Sequence, residues 1–493
     1  MKRFLAVAFA CLSLLCGCGS GGGGGGAPAP AAAPAPVQSG TSATFWALDM
    51  SPTNQSPIPY PLNATKVYEG QYCYVYLQQN YAVPATAPKA IADQFDTNIY
   101  PKMKANFGDE PNIDTDSKIY ILLLNIKDGA TSHSSSYVAG YFDPMNEYSS
   151  SQYPHSNQHE MIYMNINPVL GIDAQGTDFY GTIAHEFQHM IHWNYKRSLD
   201  DTWLDEGMAT VAPTVCGYGP DYGRVYTYEK SPSPSLTYWP QQASLENYAV
   251  VYMWTQYLAD QLGAGIFQQI LHNNSYGINS VNAALSAANY RWDFTGTFRN
   301  WTMANYYGNR TVTGHPEWSY TSLDTHANSY DYWSQILPGL FPTSTTNQTS
   351  LSSLDQWSVG YYAYTTTSSP GTVTWTPKGA GETASFIDGG VGTVNFNVSS
   401  GASNSFTSNG YLIVQNPTAA ATSAGDAVTR TSLVAAASLT PATPARILAA
   451  ANAHPLARSM SARSGRPQHV CVDSFFRERE KALRDQGIRP AFR

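Results

Sequence analysis

Residues 70–77 (GQYCYVYL) alternate apolar with polar or small side chains, the two-residue period of a strand with one buried face. Residues 118–126 (KIYILLLNI) are apolar almost without interruption, as in a central strand covered on both sides. Residues 160–167 (EMIYMNIN) alternate again, up to Pro168. Helical spacing appears first at 89–105, where Ile91, Phe95, Ile99 and Met103 share a stripe. Pro88 suits the first turn of that helix, and Pro101 is expected to kink or end it. Residues 178–195 place Ile183, Phe187, Met190 and Ile191 on one stripe. A second helix is expected from Thr202, a third over 247–262, and further helical pieces to about residue 310. Residues 131–158 read as a long polar loop.

From about residue 345 the texture changes. Residues 350–415 are rich in Ser, Thr and Gly, with alternating stretches at 357–364, 371–376, 393–398 and 410–414, which predicts a small β-sandwich over 345–418. The last segment, 419–493, begins Ala-rich and ends basic, with an amphipathic stretch at 475–486. The predicted class is α+β. An N-terminal mixed α/β part and a mainly helical part together fill 39–344.

The start of the chain is an export signal by composition. Lys2 and Arg3 precede an apolar stretch at 5–15, too short to span a bilayer and the right length for a secretory segment. It runs into Leu15-Cys16-Gly17-Cys18, which resembles a bacterial lipobox with Gly17 as the small residue and Cys18 as the lipidated one. The alternative is an ordinary signal peptide cut nearby. On the first reading residues 1–17 are removed, 18–38 form a Gly/Ala/Pro tether, and the protein is anchored through lipid on Cys18. With Gly19 rather than Asp after the cysteine, the expected address is the outer membrane, if the source has one, or otherwise the extracellular side.

Charge narrows the partners. Only 13% of the 493 residues are charged, and the formal net charge is −8. Losing the two basic residues of 1–17 leaves 25 basic against 35 acidic, a net −10. Residues 446–493 carry ten basic and four acidic side chains, so this tail is +6 and the rest is −16. Such a body is not expected to bind nucleic acid. The tail reads as dispensable, with a surface anchor or a removable segment as alternatives. Beyond Cys18, three mature cysteines remain (Cys73, Cys216 and Cys471), so this is no disulfide scaffold. The sequence does not indicate an oligomeric state.

The chemistry lies in His185-Glu186-Phe187-Gln188-His189. Two histidines four apart share a helix face and can reach one metal ion, and Glu186 at the edge of that face can take a proton from a water and pass it on. Trp203-Leu204-Asp205-Glu206-Gly207-Met208-Ala209 follows on a second helix, with Glu206 seventeen positions after His189, enough chain to turn and return. Glu206 is the expected third ligand and Asp205 its rival. One helical step rotates about 100°, so only one of the two faces the metal, and the other can orient a ligand imidazole. His192 lies about 10.5 Å along the axis from His185 and is expected to line a cleft or the surface. His155 and His159 are expected in a loop and at a strand edge. Asp114 and Asp116 are spaced like the start of a calcium loop, but Lys118 and Tyr120 stand at ligand positions, so this is a loop.

HEFQHMIHW followed by TWLDEGMA resembles the glutamate-type zincins, in particular the hyicolysin-type neutral zinc metallopeptidases. Gly140-Tyr141-Phe142-Asp143 and Ser156-Asn157 add to the likeness, which spans roughly residues 40–265. The resemblance implies a zincin-like catalytic domain and one Zn2+ per chain held by His185, His189 and Glu206. It further implies hydrolysis of peptide bonds in proteins, with Glu186 as general base. It also implies a donor for the oxyanion, for which Tyr248 and Tyr252 are candidates, and an extended substrate added to the strand at 160–167. The gap to the ligand glutamate is about two residues shorter than in the aminopeptidase branch, which calls for a tighter turn. GAGE at 379–382 lies downstream of the histidines, inside the β region, and reads as a turn, which favours an endopeptidase over an aminopeptidase. The remaining alternatives are a surface binding protein (adhesin-like) with a structural or degenerate zinc site, and an aminopeptidase.

Overall fold

The apolar run at 118–126 forms the centre of the structure. In this computed structural model β4 (Ile119–Leu124) is buried along its whole length. It pairs in parallel with β3 (Cys73–Gln78) on one side and β7 (Met161–Asn165) on the other. The antiparallel pair β1 (Ser42–Asp49) and β2 (Ile58–Glu69) continues the sheet beyond β3. Beyond β7 the edge is β6 (Gly140–Phe142), antiparallel to it, giving the order β1-β2-β3-β4-β7-β6. The unbroken hydrophobicity of β4 has a simple cause. Ile119, Ile121 and Leu123 face the helices, while Tyr120, Leu122 and Leu124 face a second core containing Phe45, Leu48 and Leu62.

The structure describes residues 40–323 except 55, 135, 241 and 242, then residue 325, parts of 354–417, and residues 432–435, 468–469, 473–488 and 490. Residues 1–39, where the signal segment, Cys18 lipidation and tether are expected, lie outside the described residues, as do Cys471 and most of the Ala-rich stretch. Among the described residues no helix is long and apolar enough to cross a membrane. Cys73 and Cys216 are buried free thiols, and burial pushes the Cys216 thiol up to about 12.

Pro101 neither ends nor sharply breaks its helix. α1 (Ala87–Gln94) runs through a π-helical turn at Phe95–Ile99 into α2 (Tyr100–Asn106). Proline lacks an N–H and clashes with the carbonyl four residues back. Here the chain widens by one residue, so that Tyr100 N–H bonds to the Phe95 carbonyl, and Pro101 sits in the first turn of α2. The expected polar loop at 131–158 also differs from its reading. It contains the short β5 (Ser136–Tyr137), the edge strand β6 and a 3-10 turn at Pro144–Glu147. Asn157 ties this segment down by bonding to both backbone groups of Trp46 (2.7 and 3.0 Å) and to the Tyr163 hydroxyl (2.7 Å).

The helical part comprises α3 (Thr177–Lys196), α4 (Thr202–Val215), α5 (Tyr222–Lys230), α6 (Leu245–Leu262), α7 (Ile266–His272), α8 (Gly277–Ala287) and α9 (Phe294–Tyr307). Then β8 (Ser358–Thr365), β9 (Gly371–Thr376), β10 (Thr383–Asp388), β11 (Gly392–Val398), β12 (Ala402–Phe406), β13 (Asn409–Asn416) and β14 (Ser432–Ala435) form two antiparallel sheets, β11-β10-β13-β8 and β12-β9-β14. Trp357, Val359, Tyr361, Ile387 and Ile413 of this region belong to the same core as the helices. Gln415 Nε2 donates to Thr302 Oγ1 of α9 at 2.9 Å. In the tail, β15 (Gln468–His469) pairs in parallel with β5, and α10 (Asp473–Asp485) covers the amphipathic stretch foreseen at 475–486.

Candidate metal centre

The motif helix is more deeply set than its stripe of apolar residues implies. In α3 the Ile183, Phe187, Met190 and Ile191 side is buried in the core, and so is the opposite side with His185, Glu186, His189 and His192. Such a helix, enclosed all round, lets the fold place polar groups with little freedom of movement.

Helix α3 ends at Lys196, and Arg197 adopts a left-handed φ of 54°. A short turn through Asp200 and Asp201 starts α4, the tight connection that the shortened spacing requires. Lys196 fixes the bend by donating to the carbonyls of Asn273 (2.6 Å) and Ser275 (2.7 Å). The returning α4 brings Glu206 back onto α3. Its Oε2 lies 3.9 Å from His185 Nε2 and 3.8 Å from His189 Nε2, and the two Nε2 atoms are 3.1 Å apart. Donors at about 2.1 Å from one tetrahedral ion are separated by about 3.4 Å. Two imidazoles and a carboxylate at 3.1–3.9 Å therefore suit a single zinc-sized cation, and among the described residues this is the cluster with a metal-ligand arrangement.

The helix phase turns Glu206, rather than Asp205, toward the two imidazole Nε2 atoms. Asp205 Oδ1 lies 3.0 Å from His189 Nδ1, on the side of the ring away from the cluster, and 2.9 Å from His192 Nδ1. It fixes the ring that Glu206 faces. Burial pushes the Asp205 carboxyl up, but His192, Arg477 and His189 together hold it well below the usual carboxylate range. His192 is neither a surface nor a cleft-wall residue. It is fully buried, with Nε2 3.2 Å from Asp200 Oδ2, so it braces the α3–α4 turn from within. Burial favours its neutral form, yet the Asp205 and Asp200 carboxylates raise its pKa.

Two glycines make the approach of these elements possible. A Cβ at Gly207 would meet Thr255 Cγ2 at 2.9 Å, and Thr255 Oγ1 donates to the Gly207 carbonyl at 2.8 Å, so the glycine after Glu206 is where α6 presses against α4. A Cβ at Gly140 would meet the Tyr163 carbonyl at 2.9 Å and Glu186 Cγ at 3.1 Å. The edge strand thus passes directly over Glu186.

That edge corrects the expected docking strand. β7, at 160–167, has β4 on one side and β6 on the other, so its hydrogen-bonding edges are taken and it cannot accept a substrate strand. The edge of the sheet is β6. Sequence reasoning missed it because three residues are too short for a period, although Gly140-Tyr141-Phe142 was singled out by resemblance.

The two tyrosine candidates separate. Tyr252 is fully buried, and its hydroxyl accepts from Asp221 N–H (2.9 Å) and lies 3.3 Å from Thr214 Oγ1, which commits it to the α4–α5 corner. Tyr248 packs edge-on against Trp239 at 4.9 Å, with the Arg224 guanidinium 4.7 Å over its ring. His155 packs against Trp46, and His159 stacks on Tyr120 and pairs with Asp114, in keeping with structural roles. Asp116 N–H bonds Asp114 Oδ1 in the expected loop.

No family model matches the chain. A curated relative, neutral metalloprotease ShpI of Staphylococcus hyicus, is 35% identical over 222 residues, which is 42% of this chain and 50% of that protein. The chain thus spans about half the length of the curated relative it matches.

Proposed function

We propose that the protein is a zinc metalloendopeptidase of the hyicolysin type, exported and held at the cell envelope by lipid on Cys18. The observation that carries this reading is the convergence of His185, His189 and Glu206 from two helices, beside a second acidic residue, Glu186, that the cluster does not use. The 35% identity to a neutral metalloprotease supports it.

His185, His189 and Glu206 would hold the ion. A zinc ion there supplies Lewis acidity and lowers the pKa of a water. Glu186 would serve as the proton acceptor and donor of the hydrolysis, taking a proton from the attacking water and returning it to the departing amine nitrogen. Asp205 keeps His189 in one tautomer, with Nδ1–H engaged and Nε2 directed at the cluster. An extended substrate adds to β6, a strand that the absent side chain of Gly140 lets lie close to Glu186. Of the two tyrosines proposed as oxyanion donors, Tyr252 has its hydroxyl engaged with the Asp221 N–H.

The test is zinc content together with peptide mapping of a digested protein mixture, for the wild type and Glu186→Gln. Zinc retained with cleavage lost supports the reading, whereas full casein cleavage by Glu186→Gln contradicts it. Cleavage of substrates with acetylated N-termini separates an endopeptidase from an aminopeptidase.

A further inference from the structure

The basic tail contributes a helix that is seated beside the candidate centre, against Asp205 and the α3–α4 turn. Glu480 of α10 is 1% exposed, and its carboxylate is enclosed by donors from the body. Oε1 accepts from the Tyr148 hydroxyl (2.9 Å) and from Trp193 Nε1 of the motif helix (3.0 Å), and Oε2 accepts from Ser198 N–H (3.1 Å) and the Ser198 hydroxyl. A carboxylate buried this completely is stable only because each oxygen is bonded. Arg477 donates to the Asp200 carbonyl at 2.7 Å and pairs with Asp205, the residue that orients His189. Arg479 lies 3.7 Å from Asp143, which immediately follows the edge strand. Ahead of the helix, the backbone of β15 pairs with β5, just upstream of that strand. The basic tail thereby sets Arg477 and Arg479 against Asp205 and Asp143 of the acidic body.

A second observation agrees. A peptidase centre has to admit a polypeptide, yet His185 is 4% exposed, His189 2%, Glu206 1% and Glu186 0%. Beside the cluster, Phe142, His189, Trp193, Asp205 and Arg477 line a pocket of about 20 Å³, room for one water.

We propose that the tail elements at 468–469 and 473–485 are an intramolecular occupant of the substrate cleft, so that the full chain is latent until they are displaced. This rests on the enzymatic reading above. The segment touches β5 before β6, Asp143 immediately after it, and Trp193 at the end of the motif helix, so an extended substrate laid along β6 would run into it. Charge complementarity and the buried Glu480 hold it in place.

The experiment uses the full chain, loaded with zinc, as wild type and as the double variant Arg477→Glu/Glu480→Lys. Arg484→Ala, which loses only a 3.4 Å bond to the Ser198 carbonyl among the described hydrogen bonds, serves as a gentler variant. Turnover of an internally quenched peptide is measured, and folding is checked by thermal melting. Expected are a rise in kcat/KM of at least about tenfold for the double variant, a smaller rise for Arg484→Ala, and inhibition of the double variant by a synthetic peptide of residues 466–490. Folded variants no faster than wild type would overturn latency and leave the enzymatic reading intact. If no form turns over peptide, the enzymatic reading falls. Binding of the labelled 466–490 peptide, followed by fluorescence anisotropy, then decides occupancy. Uptake by the double variant but not by wild type supports it, and no uptake by the double variant overturns it.

Discussion

Asp205 shows how much one side chain controls without itself binding the ion. Its bond to His189 Nδ1 fixes which ring nitrogen faces Glu206. Asp205→Asn is expected to lower zinc affinity by about 10–100-fold in a chelator competition, and an unchanged affinity in a folded variant would contradict the orienting role. Glu160 shows a different kind of control. Burial raises its carboxyl from the ordinary 4.5 to about 8, despite the N–H of Ile113 bonding to it. The folded chain therefore holds a proton that the unfolded chain has released. The stability this contributes is complete below about pH 4.5 and is lost as pH rises through 8. Glu160→Gln should flatten the decline in melting temperature between pH 5 and 9. A decline as steep as in the wild type would show that another group is responsible.

At the scale of elements the two glycine contacts make the sharpest expectations. Gly207→Ala pushes a methyl to within 2.9 Å of Thr255 Cγ2 and forces α4 and α6 apart. Overpacking of this kind costs about 1–3 kcal/mol in denaturant unfolding, and because Glu206 is the adjacent residue, zinc affinity should fall with it. Gly140→Ala acts on the other side of the centre. It crowds Glu186 Cγ at 3.1 Å, so turnover should fall by about tenfold or more while zinc content stays that of the wild type. Loss of zinc in Gly140→Ala would mean that β6 supports the ligands rather than the proton-transfer group.

For the molecule as a whole, the centre ties α3 to α4, and α4 packs through Gly207 onto α6. An ion held there stabilises the fold by mass action, about 2.7 kcal/mol at a free zinc concentration one hundred times its Kd. Zinc should raise the melting temperature and a chelator lower it, and Glu206→Ala should remove most of that shift. A shift that survives the substitution would discard Glu206 as a ligand.

Local order was legible in the chain. The spacing of His185 and His189, Glu186 beside them, the returning WLDEG segment, the central strand and the tail's amphipathic stretch all follow from short-range periods, because a helix repeats every 3.6 residues and a strand every two. Contacts between distant segments left no such mark. Pairing on both sides of β7 passed the role of edge to a three-residue strand hidden in polar sequence. Helix phase turned Glu206 to the Nε2 atoms of His185 and His189 and Asp205 to the Nδ1 atoms of His189 and His192, and the burial of both sides of α3 turned His192 from a surface residue into a brace. The placement of α10 against residues nearly three hundred positions earlier is decided by buried hydrogen bonds and ion pairs, such as those of Glu480, that exist only once the chain has folded.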